Sequence, residues 1–589
     1  MPEDRACLGQ PSSTFSRLFL PFPSPITSIH GFSFLSALPE MFKPGAAGGL
    51  QSILKEGGKH YAGVDEAVMK NIEAAKNLSV LTRSSFGPHG MNKLIVNHLE
   101  RHFVTRDAAV ILQEMEVMHP AAKLVVMAAK SQEQECGDAT NFVTVFSGEL
   151  LNQAEELLKQ GVHASDIIRG FEIAGKAAVE QGIPSLPVHV VSDLKSIDQL
   201  TPVLTSVVSS KQLGLESVLG KLVAEACVAA MPEDPTRFET DSIRVAKLLG
   251  GGDLYGSYVV HGLVVPRDCL GVQKRKTSAK VAVFSIPLEM TNTETGGNVL
   301  ITNAKDLVNY TKGEEAKMEE FVRSLSDAGV QVVISGGAVQ DIALHFLNKF
   351  GILVLRCTSK FEIKRLAQTL GATQMVRLGA PLQEELGYAE SVAVEEISSQ
   401  KVTVFKSSDS KIASIVLRGA TSNTLDEVER AIDDAVQTVR CMAVKGERNF
   451  CYGGGAAEAE LAETVRKAAA ACPGLEQYAA FKFAEALEVI PKVLADNAGL
   501  RGTEAVASLT AAHTQGRKTA CIDVDARSST NVLADAKERG IFDHLGSKTW
   551  AIRLALDAAL TVLRTQHIIV AKQAGGPAKP KGEANVDDD

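Results

Sequence analysis

The stretch Cys136-Gly137-Asp138-Ala139-Thr140-Asn141 joins two segments that both have helical patterns. The preceding segment, 120–132, is rich in good helix formers and has a proline near its first turn. Apolar residues recur at helical spacing over 142–158. We expect Gly137 to end the first helix in the left-handed conformation and Asp138 to cap the second. Taken alone, these residues are typical of a helix stop followed by a helix start.

The start of the second helix also has features that suit ligand binding. A helix N-terminus presents free N–H groups and a positive dipole end, and both favour a bound phosphate. The carboxylate of Asp138 would be a hard oxygen ligand for Mg²⁺ at that point.

Composition narrows the class of protein. The chain has 589 residues, which indicates two to four domains, and its hydrophobic fraction of 45% and charged fraction of 22% are typical of a soluble globular protein. A net charge of −9 argues against nucleic-acid and membrane-surface partners. The nine cysteines form no Cys-x-x-Cys pair, which favours a reducing compartment. No apolar run reaches the roughly 18 residues of a transmembrane helix.

The two ends of the chain differ from the rest. Residues 1–41 are rich in proline, serine and phenylalanine without a sustained period, and they lack the continuous apolar run of a signal peptide. We interpret them as a disordered extension, with Met41 as an alternative start. Residues 575–589 are rich in glycine, proline and lysine and end in three aspartates, which predicts a disordered acidic tail.

Four other stretches carry glycine or aspartate where backbone meets a helix or turn. Segment 84–91 contains Gly-Pro and a second glycine, and 452–458 contains three glycines that open a helix. Asp107 stands at a helix start, and Asp434 lies in an acidic helical run. Taken separately, 84–91 is an ordinary turn, Asp107 is a helix cap and Asp434 belongs to a solvated helix face.

A hairpin-like pair of strands is predicted between 93 and 105. Between about 260 and 417, strand patterns alternate with helical patterns, including a strand from 330, helices at 339–350 and 360–370 and a strand between those helices, which predicts a compact α/β domain. Residues 288–300 are polar with two glycines and no alternation, so we expect a protruding loop there. Neither the P-loop sequence nor the Rossmann glycine fingerprint is present in the chain.

In their combination and order, these stretches resemble the group II chaperonins over about residues 42–576. Phe86-Gly87-Pro88-His89-Gly90-Met91 resembles the family's Leu-Gly-Pro-Lys-Gly-Met loop, and Thr105-Arg106-Asp107-Ala108 its Thr-Asn-Asp-Gly. Cys136 to Thr140 resembles Val-Gly-Asp-Gly-Thr. The motif matches continue with the helix at 429–435, the glycines at 453–455, Ser210-Lys211, and stretches at 141–143, 472–478, 543–550 and 571–577 that are typical of one subunit type in the eukaryotic cytosolic branch.

The resemblance implies a multi-domain chaperonin fold. It comprises a mainly α equatorial domain that is split in sequence, a small split α+β intermediate domain, and an α/β apical domain with a lid protrusion. The boundaries that we predict are 42–191 and 452–574 for the equatorial domain, 192–259 and 418–451 for the intermediate domain, and 260–417 for the apical domain.

The resemblance also implies the partners and cofactors. Chaperonins of this group form two stacked eight-membered rings of paralogous subunits in the cytoplasm and enclose non-native proteins, with actin and tubulin among the clients. A prefoldin-type co-chaperone is a candidate partner, and neither nucleic acid nor membrane is expected. The cofactors would be ATP or ADP and Mg²⁺, with K⁺ as a second candidate cation.

Residue by residue, the resemblance assigns Asp138 to the metal and Asp107 and Asp434 to catalysis, where they would orient or activate the attacking water. Because Asp434 lies in the intermediate domain, it would reach the nucleotide only when the hinge closes. The remaining residues implied to bind the nucleotide are Phe86, Gly87, Pro88, Gly137, Ala139, Thr140, Asn141, Lys211, Gly454, Gly455, Asp543 and Lys548.

The chain departs from the family pattern beside these residues. Ala139 stands where the family has glycine, which would be strained if the backbone is left-handed. Arg106 replaces asparagine and adds a positive charge that would aid charge neutralisation or slow product release. Tyr452 replaces a proline.

The function expected is that of an ATP-dependent chaperone subunit that hydrolyses ATP. The alternative is a structural ring subunit that binds ATP but hydrolyses it weakly. A third hypothesis, an apical-type binding module fused to a kinase-like region, conflicts with the presence of both halves of the equatorial motif set in order.

Overall fold

Three segments far apart in sequence meet in one small antiparallel sheet, and this sheet lies next to the site described below. The computed structural model describes residues 64–250, 252–289, 303–397, 400–407, 410–526, 532–566 and 568, all of which belong to one compact unit spanning 59–571. The predicted extension 1–41, the tail 575–589 and most of the predicted loop 288–300 lie outside the described residues.

The N-terminal part consists of five helices and one hairpin. In chain order these are α1 (Val64–Arg83), β1 (Lys93–Val96), β2 (His102–Thr105), α2 (Ala108–Glu114), α3 (Pro120–Cys136), α4 (Thr140–Lys159) and α5 (Ala164–Lys176). The hairpin predicted between 93 and 105 is confirmed, with Lys93 opposite Thr105. Most residues of helix α4 are buried, because helices pack against it from several sides.

A middle part follows, built on a large mixed sheet. After β3 (His189–Val190) come two helices, α6 (Ile197–Ser209) and α7 (Glu216–Ala230). The next elements are β4 (Ile243–Leu249), β5 (Tyr258–Val265), β6 (Arg275–Phe284), α8 (Ala304–Asp327), β7 (Val330–Ser335), α9 (Asp341–Lys349), β8 (Leu353–Arg356), α10 (Lys360–Leu370), β9 (Gln374–Met375), β10 (Gly387–Ile397), β11 (Gln400–Lys406) and β12 (Ala413–Gly419).

The strands of this sheet have the order β4-β12-β5-β11-β10-β6-β7-β8, with β9 paired to β6. Its β6-β7-β8 portion is parallel, as expected of strands joined through helices. The helix and strand pattern predicted over 330–370 is therefore confirmed, with α9 slightly shorter than the expected 339–350.

The C-terminal part returns to helices. It contains α11 (Ser422–Val444), β13 (Asn449–Tyr452), α12 (Ala456–Ala470), α13 (Glu476–Leu487), α14 (Val489–Asn497), α15 (Gly502–Thr514), β14 (Ala520–Ile522), β15 (Leu533–Asp535), α16 (Ala536–Arg539), β16 (Phe542–His544) and α17 (Leu545–Arg564). Strand β13 pairs with both β16 and β3, so three segments that lie more than 85 residues apart share one sheet.

The apolar side chains form separate cores. One core joins residues from the first helices to residues from the last, and Phe146 and Phe483 meet in it edge to face with ring centroids 5.5 Å apart. A second core packs α6 and α7 against α11 and includes Leu200, Val223 and Ile432. Two further cores cover the two faces of the β6-β7-β8 region. Among the residues described, no helix is both long and apolar enough to cross a membrane.

Candidate functional site

A cavity of about 360 Å³ lies where the first helices, the last helices and the α6–α7 region meet. Its wall contains thirteen of the fifteen residues that the sequence assigned to the site: Phe86, Gly87, Pro88, Asp107, Asp138, Ala139, Thr140, Asn141, Lys211, Gly454, Gly455, Asp543 and Lys548. Gly137 and Asp434 are not in the wall. Both lie directly behind it, since Gly137 adjoins Asp138 and Asp434 pairs with Lys211.

The turn after α1 forms one side of the cavity. Its backbone closes on itself through the Met91 N–H, which donates to the Ser84 carbonyl oxygen at 2.7 Å. Gly87 has a φ of +80°, and a Cβ there would lie 2.5 Å from a methyl carbon of Leu494. The Asn497 amide holds the turn by donating to the Phe86 carbonyl oxygen at 2.8 Å. The positive φ at position 87 therefore favours glycine, and a side chain there would also displace Leu494.

The joint between α3 and α4 forms the opposite side. Gly137 ends α3 with a φ of +77°, as predicted, and a Cβ there would lie 2.4 Å from the Cβ of Gln437. The cap of α4 differs from the prediction. Ala139, not Asp138, is the N-cap residue, and it has the left-handed φ of 68° and ψ of 22°. Asp138 is thus displaced from the capping role, and its carboxylate lies in the cavity wall.

Asp107 is at the N-cap position of α2 but makes no side-chain capping hydrogen bond. Its carboxylate instead accepts a hydrogen bond from Thr140 Oγ1 at 3.0 Å and lies 3.3 Å from Lys211 Nζ. The side chain is buried, with only 7% of the residue exposed. The simple interpretation of Asp107 as a helix cap is therefore wrong.

Lys211, just beyond the end of α6, joins two carboxylates. Its ammonium group pairs with Asp107 and more closely with Asp434 of helix α11. Burial alone would lower the pKa of Lys211, but the two carboxylates outweigh burial and raise the pKa above its usual value. Lys211 is therefore a permanent cation between two elements that are far apart in sequence.

Asp138 has the chemistry of a metal ligand. Burial raises the pKa of its carboxyl group, Lys211 and the Ala139 N–H oppose that change, and repulsion from Asp543 and Asp107 adds to it. Lys211 pairs with Asp107 and Asp434, and Asp138 adds a third carboxylate to the same region, so a divalent cation would balance the excess negative charge. Within the described ranges, no three His, Cys, Asp or Glu side chains are placed to hold a metal unaided. Mg²⁺ is commonly held by one or two carboxylates together with phosphate oxygens and water, so the residues fit a Mg²⁺ that binds with a nucleotide.

Asn141 lines the cavity and also connects two segments of its wall. Its amide donates to the carbonyl oxygens of Ser85 at 3.3 Å and Arg106 at 3.2 Å, which ties the turn after α1 to the segment before α2. The amide oxygen of Asn141 makes no hydrogen bond in the described structure. Asn141 thus fixes two walls of the cavity relative to each other.

The third side comes from the end of the chain. Gly454 and Gly455 have φ values of +65° and +89°, and a Cβ at 455 would lie 2.6 Å from the Pro491 Cβ. Lys548 is buried and donates to Glu458 Oε1 at 2.6 Å and to Asp543 Oδ2 at 2.7 Å. Burial would lower the pKa of Lys548, but these two carboxylates raise it well above its usual value.

The sequence analysis missed some of the wall. Glu458 was not singled out, although its position in the first turn of the helix opened by the three glycines is a usable signal. The apolar side chains of Ile490, Leu494 and Ile522 and the polar side chains of Glu216 and Arg539 were also missed. Nothing in their local sequence marks them, because only the fold brings them to the cavity.

Known proteins with the same sequence features identify the family. The TCP-1/cpn60 chaperonin family matches residues 78–573. T-complex protein 1 subunit theta of Homo sapiens is 46% identical over 545 residues, which cover 92% of this chain and 98% of that protein. The proteins of the same name from Dictyostelium discoideum and Arabidopsis thaliana are each 44% identical, over 543 and 541 residues, and cover 92% and 91% of this chain and 100% and 97% of their own lengths. The expected resemblance is confirmed, and the chain belongs to the TCP-1/cpn60 chaperonin family.

Proposed function

We propose that this chain is an ATP-hydrolysing subunit, of the theta type, in the double-ring cytosolic chaperonin of eukaryotes, CCT or TRiC. One observation carries the ATPase part of the proposal. Asp107, Asp138 and Asp434 come from three separate segments and meet at a cavity bounded by glycine turns, where the ammonium group of Lys211 pairs with Asp107 and Asp434.

The cavity suits a nucleoside triphosphate. The N-terminus of α4 offers free N–H groups for phosphate, next to Thr140 and the backbone of Ala139. The turn at Phe86, Gly87 and Pro88 would lie against the phosphates and base, and the glycines at 454 and 455 against the ribose. Asp543 and Lys548 would contact the nucleoside side, while the apolar Ile490 and Leu494 offer a surface for the base.

Asp138 would hold Mg²⁺, and Mg²⁺ would neutralise charge on the phosphates when bound. The chain's own residues do the rest. Asp107 and Asp434 accept the proton of the attacking water or orient it, Thr140 holds the Asp107 carboxylate through its hydroxyl, and the Lys211 ammonium group pairs with both carboxylates.

We propose the chaperonin domain boundaries given above: 42–191 with 452–574, 192–259 with 418–451, and 260–417. The separate apolar cores support this division, since one joins both chain ends and another joins α6 and α7 to α11. Strand β12 contributes to the second core although it lies inside the proposed apical segment. Asp434 already meets Lys211 in this structure, so opening of the intermediate segment would withdraw Asp434 from the cavity, and closure would couple hydrolysis to enclosure of the client.

The theta relatives are named as subunits, which supports assembly with other subunits of this family. We propose two stacked eight-membered rings of paralogous subunits in the cytoplasm, with unfolded polypeptides such as actin and tubulin as clients and a prefoldin-type protein as a delivery partner.

A second candidate function is a ring subunit that binds ATP but hydrolyses it weakly. The left-handed backbone of Ala139 favours it, because an L-residue with a side chain is strained in that conformation. Strain at this point acts directly on the N–H groups that would face the phosphates.

Two measurements test the proposal. Native mass spectrometry of the tagged chain from its own cells should give a particle of about one megadalton, as two rings of eight subunits near 62.7 kDa require.

In those particles, single-turnover hydrolysis at this subunit should fall on Asp434→Ala and stay unchanged on Asp557→Asn, which alters an exposed carboxylate of α17 away from the cavity. A stable monomer would contradict the assembly, and unaltered hydrolysis on Asp434→Ala would contradict the catalytic role.

A further inference from the structure

Arg106 lies in the cavity wall and makes a network of contacts with three other residues. Its Nε donates to Glu427 Oε1 at 3.2 Å and to Asn92 Oδ1 at 3.0 Å, and its Nη1 donates to the Pro88 carbonyl oxygen at 3.0 Å. Asn92 closes the network by donating to Glu427 Oε2 at 3.1 Å. The charge of Arg106 is thus already compensated by a carboxylate of the protein.

The network is largely removed from solvent. The side chains of Arg106 and Glu427 are 17% and 14% exposed. Hydrogen-bonded charge pairs with this degree of burial hold their geometry better than exposed pairs, which are screened by water and salt. The contact therefore fixes a distance between the two elements that it joins.

Those two elements are the cavity wall and helix α11. Glu427 precedes Asp434 by seven residues on α11, and seven residues bring a helix back to nearly the same face. Cys441, seven residues further, and Lys445 lie on this face as well, and both contact Glu135 at the end of α3. Helix α11 is therefore held on one face at its start by Arg106, near its middle by Lys211 and at its end by Glu135.

We propose that Arg106 is a positioning residue for hydrolysis, which acts through Glu427 to set where α11 presents Asp434. Through Pro88 the same guanidinium is tied to the turn that lines the cavity, so the turn and the helix are set together. The inference rests on the proposed ATPase function. It accounts for an arginine at a position where the family pattern has asparagine.

The test measures hydrolysis at this subunit alone. Assembled rings carrying the tagged chain are loaded with 8-azido-ATP labelled with ³²P at either the α or the γ position, irradiated after set times, and denatured before the tagged chain is isolated. The γ-to-α label ratio on that chain reports unhydrolysed nucleotide, and the α label against concentration reports affinity. The variants are Arg106→Gln, Glu427→Gln, the double variant and Arg106→Lys.

We expect decay of the γ-to-α ratio to slow about tenfold in Arg106→Gln and in Glu427→Gln, because each breaks the same partly buried pair, while affinity changes less than about twofold. The double variant should be no slower than either single variant, and Arg106→Lys should recover part of the rate. Arg564→Gln, which breaks the exposed pair with Glu172, is the matched control and should decay as the unaltered chain does.

Unaltered decay in both single variants, or additive slowing in the double variant, would overturn the positioning role. So would a loss of affinity equal to the loss of rate. If Arg106→Gln does not enter rings, Glu427→Gln decides, since it keeps the size of the side chain and the hydrogen bond from Asn92. A constant γ-to-α ratio on the unaltered chain would instead overturn the ATPase proposal itself.

Discussion

Thr140 Oγ1 donates a hydrogen bond to Asp107 Oδ1 across 3.0 Å, joining the first residue of α4 to the residue that precedes α2. The contact aims the Asp107 carboxylate toward Lys211 and away from the end of its own helix. Replacing Asp107 with asparagine keeps the shape of the side chain and removes the carboxylate that we propose as a base.

We therefore expect Asp107→Asn to slow single-turnover hydrolysis at this subunit by about 10²-fold, which is the usual scale for losing a general base. Nucleotide affinity should change little, because the glycine turns and the N-terminus of α4 are untouched. The hydrolysis rate and the nucleotide affinity of this subunit are both measured with labelled nucleotide in assembled rings. A fall in affinity with a preserved rate would place Asp107 in binding, contrary to its proposed role.

Ala139→Gly should relieve strain at the α3–α4 joint. A left-handed backbone costs an L-residue about 1 kcal/mol more than glycine, so local opening of residues 137–143 should become about fivefold rarer. Hydrogen exchange followed by mass spectrometry measures this opening.

Ala511→Gly is a control in which the same change of residue should make local opening more frequent. Ala511 is exposed in helix α15, where glycine is less favourable than alanine by about 1 kcal/mol. Faster exchange at 137–143 in Ala139→Gly would show that the joint is not strained by the methyl group.

His544 makes the start of α17 sensitive to acid. Its Nδ1 accepts a hydrogen bond from the Ser547 N–H at 3.1 Å, its Nε2–H donates to the Glu447 carbonyl oxygen at 2.7 Å, and burial lowers the pKa of His544 to about 4. A lowered folded-state pKa means that the stabilisation by neutral His544 is complete above pH 6.5 and is lost as the pH falls toward 4. The full loss is about 3 kcal/mol.

Hydrogen exchange in the first turn of α17, corrected for intrinsic rates, should therefore accelerate between pH 7 and pH 5 in the unaltered chain. In His544→Asn, which can still cap the helix, that acceleration should be much weaker. Equal pH dependence in the two proteins would rule out His544 as the titrating group.

Lys548 is expected to be essential for the stability of the β16–α17 corner. Lys548→Met leaves the carboxylates of Glu458 and Asp543 without their shared partner, and removing one member of a buried charged cluster costs about 3 kcal/mol or more. Adding Glu458→Gln should restore part of that loss, because one unpaired charge is then removed.

The loss of stability is measured by thermal unfolding of rings that contain each variant. The unfolding is followed in the peptides that span residues 543–564. If the double variant is less stable than Lys548→Met by itself, Glu458 contributes to stability through other contacts than the one to Lys548.

Local motifs predicted the parts of the site that local backbone geometry creates. The positive φ of Gly137, the hairpin at 93–105 and the glycines before α12 are all properties of a few consecutive residues, and the structure has them. The role of Asp107 was different, because a helix-start aspartate normally caps its helix and only the distant Thr140 and Lys211 redirect it.

Longer-range features needed either the family resemblance or the fold. Nothing in the acidic run of α11 distinguishes Asp434 from Asp433 except which of them meets Lys211 across the core. Likewise, Glu458 becomes part of the site only because Lys548 arrives ninety residues later in the chain. Side chains that acquire their role from a partner far away in sequence carry no local signal of it.

The sheet formed by β3, β13 and β16 has a consequence for synthesis. The cavity wall begins at Ser85 and is completed by Lys548, and β16 joins it only through pairing with β13. A nascent chain that has emerged from the ribosome as far as α15 has the turn, the joint, Lys211 and the glycines at 454 and 455, but it lacks Ile522, Asp543 and Lys548. We therefore expect nucleotide binding in this cavity only after α17 has been synthesised.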